Sequence, residues 1–177
     1  MANDPNWNLP EVPTFTLTSG DFTEGGELPR SARSDIFGAG GDDRSPALSW
    51  TGAPEGTQSF VLTCYDPDAP TGSGFWHWAV YNIPSDVTSV PSDAGTPDAA
   101  LLPDSAITVA NEARLERFLG AAPPEGHGVH RYVFTVTALD TAELSIPLGS
   151  TPAFLGFNLL GNILGRAQLI GTSVTPA

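Results

Sequence analysis

The residues best equipped for chemistry fall in three short stretches. Pro123-Pro124-Glu125-Gly126-His127-Gly128 is a glycine- and proline-bound loop that runs straight into an apolar segment, Val129 to Leu139. If that segment is a strand, its side chains alternate, and His130, Tyr132, Phe134 and Val136 share one face while Arg131, Val133, Thr135 and Thr137 share the other. An imidazole and a phenol then sit side by side, just past a loop of backbone amides. The second stretch is the acidic turn Asp66-Pro67-Asp68, the third is His77. A carboxylate beside an imidazole fixes its tautomer and favours its cation. A cationic histidine next to free amides of the Gly120–Gly128 loop would form a small anion pocket, in the manner of a backbone nest.

For these groups to meet, the elements that carry them must be neighbours in one sheet. Ser59 to Tyr65 is a near-continuous apolar run, as expected of a central strand, and it stops at Asp66-Pro67-Asp68-Ala69-Pro70, where proline ends ladder pairing. Phe75 to Ile83 follows after a glycine-rich link, with His77, Ala79, Tyr81 and Ile83 predicted on one face and Trp76, Trp78 and Val80 on the other. Strands are also predicted over Phe15–Ser19, near Glu27, over Pro46–Trp50 and over Ala167–Val174. Leu115, Phe118 and Leu119 have helical spacing, which predicts a short helix over 110–119. Thr151-Pro152 is a capping hydroxyl followed by proline at the first helical position, predicting a second helix that runs to about Gly165.

Composition points the same way. The chain has 177 residues with 19 glycines and 17 prolines but no repeat, which favours one loop-rich β domain over a helical bundle. Residues 1–13 form a polar arm around Trp7, and 84–118 form an excursion rich in Pro, Ser, Asp and Ala that is expected to line the pocket mouth. The net charge is −13 and every one of the seven basic residues is an arginine. Such a surface repels nucleic acid and anionic membranes, so neither is an expected partner. A single cysteine, Cys64, cannot form an internal disulfide. With no leader-like pattern at Met1–Pro5 and no apolar run of roughly 18 residues, the expected location is the cytoplasm.

Three blocks, in order, resemble the phosphatidylethanolamine-binding protein family in its bacterial and archaeal Raf-kinase-inhibitor-like branch. They are Ser45-Pro46-Ala47-Leu48-Ser49-Trp50; Tyr65-Asp66-Pro67-Asp68-Ala69-Pro70 with Trp76-His77-Trp78; and Gly120 to Tyr132, with its Pro-Pro-x-Gly-x-Gly-x-His-Arg-Tyr core. Phe154-Leu155-Gly156-Phe157 also fits. The resemblance implies a mostly β, antiparallel sandwich-like fold with one or two short helices, one of them near the C-terminus. It implies a pocket for phosphate, phosphorylethanolamine or a carboxylate built from Asp66, Asp68, His77, Gly120, Ala122, Pro123, His130 and Tyr132, and a cis peptide at Ala69-Pro70. It also implies a protein partner such as a kinase or protease, and a homodimer. Ala122 stands where eukaryotic members have glycine, which implies an altered mouth, and Glu112 and Glu116 would place acids beside it.

The residues leave other readings open. Asp66 and Asp68 fit ordinary turn formers, His127 a solvent-facing loop residue, and Arg131 a structural ion-pair partner. Trp76 and Trp78 fit the core, and Cys64 an inert buried thiol. Two histidines and one aspartate match the count of a facial metal triad, but no His-x-His or His-x-Glu pair is present, and no metal or cofactor is expected. No Gly-x-Ser-x-Gly elbow or placed serine points to a hydrolase. A small-molecule enzyme, an isomerase, cyclase or hydrolase using the Asp/His/Tyr set as acid and base, is the alternative to a binding and regulatory module.

Overall fold

A computed structural model describes Asn6 and residues 8–177. Among the described residues, eight strands form two antiparallel sheets. The smaller contains β1 (Thr16–Thr18), β2 (Leu48–Thr51) and β5 (Ser89–Val90), in the order β1-β2-β5. The larger contains β3 (Ser59–Asp66), β4 (Phe75–Pro84), β6 (Ile107–Thr108), β7 (His130–Leu139) and β8 (Ile163–Ser173), in the order β6-β4-β3-β7-β8. The fold is mostly β, with one α-helix, α1 (Pro152–Leu159), near the C-terminal end.

The sheets face each other across one apolar layer. Leu17, Leu48, Trp50 and Val90 of the smaller sheet meet Phe60, Leu62, Trp78, Tyr132, Phe134 and Val136 of the larger. Edge-on contact between Trp50 and Phe60, with ring centroids 5.4 Å apart, joins the layers. The far face of the larger sheet has its own cluster, Val61, Ala79, Tyr81 and Leu139, covered by Leu155 and Leu159 of α1. β3 is thus buried on both faces, which is why its sequence is a continuous apolar run and not an alternating one.

Strand β4 departs from simple alternation. Tyr65 pairs with Trp76 and Cys64 with Trp78, so His77 is an extra residue in β4, a β-bulge. A second irregularity falls between Phe60 and Leu62, opposite Asn82, whose φ is +59°. The bulges correct the predicted faces: Trp76 lies on the outer face beside Tyr65, whereas Trp78 and Val80 join the inner core. Ala79 and Tyr81, predicted beside His77, point to the opposite side of the sheet.

Other expectations also change. Residues 110–119 form no helix. The buried Asn111 side chain accepts from the Ala113 and Leu115 amides (3.0 and 3.2 Å) and donates to the Arg117 carbonyl, and Arg114 takes a φ of +65°. A side chain that offers the backbone such bonds competes with helical pairing. Helix α1 starts as predicted, with the Thr151 hydroxyl accepting from the Phe154 amide at 3.1 Å, but stops at Leu159. Residues 163–166 instead pair with β7, so β8 begins four residues earlier than predicted. Glu27 makes one isolated bridge to Thr172 rather than a strand, and no peptide among the described residues is cis, Ala69-Pro70 included. Trp7, the expected anchor of the arm, lies outside the described residues; Pro13 accepts from the Arg166 amide along β8. No helix among the described residues is long and apolar enough to cross a membrane.

Candidate functional site

β3 ends at Asp66, β4 carries His77 near its start and β7 begins at His130, and antiparallel pairing puts these three ends together. Between them lies a cavity of about 140 Å³ lined by Asp66, Ala69, Pro70, Thr71, Phe75, His77, His130 and Tyr132, with Phe37, Ala122 and Pro124 closing its sides. Of the sequence-predicted set, Asp66, His77, Ala122, His130 and Tyr132 meet here. Pro123 is buried and does not line the cavity; its neighbour Pro124 takes the lining position.

Asp66 serves two purposes. Its Oδ1 accepts from the Asp68 and Ala69 amides (2.8 and 3.0 Å), closing the turn, and its Oδ2 accepts from His130 Nδ1 at 2.7 Å. Both side chains of this pair are almost wholly buried. A carboxylate only accepts, so Nδ1 of His130 carries its hydrogen and Nε2 is the other end of the ring. Nε2 is 2.7 Å from Nδ1 of His127. A row of three groups, Asp66, His130 and His127, therefore runs from the buried turn to the surface.

His77 is fixed from the other side. Its Nδ1 donates to the Leu119 carbonyl at 2.7 Å, and its own carbonyl accepts from the Leu119 amide at 3.0 Å. Burial pushes its pKa down, although the Leu119 bond and the Asp66 charge oppose the shift. The neutral ring then offers Nε2 as a bare acceptor. Its ring centroid is 5.0 Å from that of Tyr132, edge to face. Burial pushes the Tyr132 phenol far up, and the Asp66 charge adds to the shift, so the phenol keeps its hydrogen.

The remaining predicted residues do different work. Asp68 is bound by Arg131 through Nε (2.7 Å), Nη2 (2.8 Å) and the backbone amide (3.0 Å), a two-pronged ion pair that holds its carboxyl below the ordinary range. It braces the turn and does not line the cavity. The amide of Gly120 donates to Asp43 Oδ1 at 2.7 Å, and that of Ala121 to the Ala32 carbonyl at 2.9 Å. The first two amides of the expected nest are thus already bonded within the protein, that of Gly120 to a carboxylate. Asp43, almost fully buried, also accepts from the Asp35 and Ile36 amides, both at 2.8 Å. No residue of 84–118 lines the cavity, and Glu112 and Glu116 are exposed elsewhere.

Sequence reasoning missed Asp43, Phe37 and the bond from His127 to His130. The signal for His127 was present in Gly126-His127-Gly128, an imidazole three residues before His130. For Asp43, inside a Gly/Asp-rich loop, no signal stood out. A larger groove, about 1010 Å³, lies on the outer face of the larger sheet between α1 and the residues Asn6, Asn8 and Leu9. Its walls are apolar, hydroxyl and carboxamide side chains with Arg166, and the Asp–His pair is not part of it.

A two-sheet antiparallel sandwich with a small Asp–His–His–Tyr pocket at its strand ends defines the class. The chain belongs to the phosphatidylethanolamine-binding protein family, whose model matches residues 18–174. It is 43% identical over 159 residues to the UPF0098 protein YbcL of Escherichia coli, covering 90% of this chain and 87% of that one. The UPF0098 protein YbhB of the same organism is 42% identical over 153 residues, with 86% and 96% covered. The crystal structure of E. coli YbcL superposes with a TM-score of 0.87, covering 90% of this chain and 98% of that one.

Proposed function

We propose that this protein binds a small anionic or phosphorylated head group in the Asp66–His77–His130–Tyr132 pocket. The observation that carries the reading is the buried Asp66–His130 pair at the edge of a cavity of about 140 Å³. That volume is far below the roughly 300–1,000 Å³ of sites for drug-sized ligands and suits a group the size of phosphate. A hydrogen on His130 Nε2 as well as on Nδ1 would give an oxyanion a charged donor, and the Tyr132 hydroxyl supplies a neutral one. His77 Nε2 needs a donor in return. A phosphomonoester monoanion, which keeps one P–O–H, satisfies all three, whereas its dianion leaves the His77 acceptor unmatched; inorganic phosphate keeps a P–O–H in either form.

Titration with phosphate, phosphorylethanolamine and acetate, followed through the ring resonances of His77 and His130, tests this. Saturable shifts of both rings are expected, larger for the two phosphates than for acetate. No shift at millimolar ligand would refute the reading. In the regulatory form of the proposal, a filled pocket alters affinity for a kinase or protease partner, which a pull-down with and without phosphorylethanolamine would register.

One observation favours a second reading. The Asp66–His130 pair holds Nδ1–H inward, as a carboxylate does when it orients a histidine base. Retention of full turnover by His130→Ala, for any reaction found, would remove it.

A further inference from the structure

We propose that His127 is a displaceable cap on the pocket, occupying the hydrogen-bonding position on His130 that an anionic ligand takes when it binds. The inference rests on the head-group reading above.

Both nitrogens of His130 are engaged by side chains of the protein itself. Nδ1 is committed to Asp66, and Nε2 lies 2.7 Å from His127 Nδ1. With the Nδ1 hydrogen of His130 facing a carboxylate, Nε2 is the acceptor and His127 Nδ1–H the donor. An oxyanion needs the reverse, an N–H at Nε2. The ligand therefore cannot reach this nitrogen until His127 leaves it and a proton from solvent reaches Nε2. One ring position serves two competing partners.

The chain around His127 is built to let it go. His127 is exposed, whereas His130 is almost fully buried. It sits between Gly126 and Gly128, with φ of +69° and +97°, values that glycine takes without strain. A Cβ on Gly128 would meet nothing within 4 Å, so this side of the turn is in open space. The other pocket groups are held by contacts that a ligand would not contest: His77 by the Leu119 carbonyl, Asp66 by its turn amides, and the buried Tyr132 ring by its edge-to-face packing with His77. Among them, only the nitrogen under His127 is covered by a surface side chain.

A cap that competes with ligand weakens binding by the strength of its own bond. Truncating it should therefore strengthen binding. For a hydrogen bond of ordinary net strength, His127→Ala is expected to bind inorganic phosphate and phosphorylethanolamine about three- to tenfold more tightly than wild type. The same gain in both arms would assign the effect to the shared phosphoryl oxygens; a gain with phosphorylethanolamine alone would overturn the cap. Unchanged binding overturns it too, and weaker binding would make His127 a ligand donor instead. If neither protein binds either probe, the head-group reading fails and the cap with it. In wild type, the ¹⁵N–¹⁵N coupling across the His127–His130 bond should be present without phosphate and vanish at saturation. A coupling that persists in the bound state refutes displacement independently of the variant.

Discussion

Asp43→Ala is expected to cost more stability than removal of any pocket histidine. The Asp43 carboxylate accepts three backbone hydrogen bonds, from Asp35, Ile36 and Gly120, at 2.7–2.8 Å, and it is 2% exposed. Hydrogen bonds to a charged group contribute about 1.5–3 kcal/mol each, but three on one carboxylate do not add fully, and water entering the vacated space recovers part of the loss. We expect a net loss of about 3–5 kcal/mol for Asp43→Ala. Asp43→Asn should lose about half as much: its carbonyl can keep the Asp35 and Ile36 amides, while its NH₂ opposes the Gly120 amide. The assay is urea unfolding, where the midpoint should fall with the slope unchanged. The His77 ring resonance should also move in the alanine variant, because Gly120 follows the Leu119 carbonyl that holds that ring. A loss below about 1 kcal/mol, or equal losses for both variants, would refute the argument that this carboxylate closes the amide nest.

Two further outcomes follow from the same geometry. Pairing with Arg131 holds the Asp68 carboxyl below its ordinary value of 3.8, so its stabilisation is full above that pH and is lost as pH falls through the folded value. Asp68→Asn should flatten the acid limb of the stability curve below pH 3.8 and cost about 1–2 kcal/mol at neutral pH; an unchanged acid limb would show that the pair is not coupled to folding. Gly120→Ala should be far more damaging than Gly128→Ala. A Cβ at 120 falls 2.4 Å from the Arg33 carbonyl carbon and 2.6 Å from the Ser34 nitrogen, whereas at 128 it meets open space and only the φ of +97° resists it. Losses of at least about 3 and about 1 kcal/mol are expected from thermal unfolding, and equal losses would refute the close-packed geometry.

The sequence made the sandwich and the meeting of Asp66, His77, His130 and Tyr132 readable wherever local pattern and tertiary structure agree. Alternation placed His130 and Tyr132 on one face, because β7 is regular throughout its pairing with β3. The proline-rich turn correctly marked the end of β3 at Asp66. Alternation failed in β4 because each bulge inserts a residue and reverses every face beyond it, and nothing in Phe75–Ile83 announces where that happens. The helical spacing of Leu115, Phe118 and Leu119 was real, but Asn111 offered the backbone better partners. Asp43 was illegible for a different reason. Its three partners come from two loops about eighty residues apart, and a carboxylate accepting remote amides leaves no periodic trace.

The bulge at His77 links the core to the site. With one residue too many, His77 and Trp78 both turn inward: Trp78 packs edge-on against Phe118 in the core, with centroids 5.8 Å apart, and His77 becomes a cavity wall. A regular strand would have sent one of them to the outer face. The segment after Phe118 is then tied on three sides, by His77 at Leu119, by Asp43 at Gly120, and by Ala32 and Ser34 at Ala121. Every wall it forms is anchored to a strand or a buried loop. The 125–128 turn has lighter ties, the Gly126 amide to the Thr175 carbonyl and the His127 amide to that of Pro124, each at 3.1 Å. A pocket with rigid walls can change its ligand-facing chemistry only at such a rim, and the residue at this rim is the imidazole that covers His130.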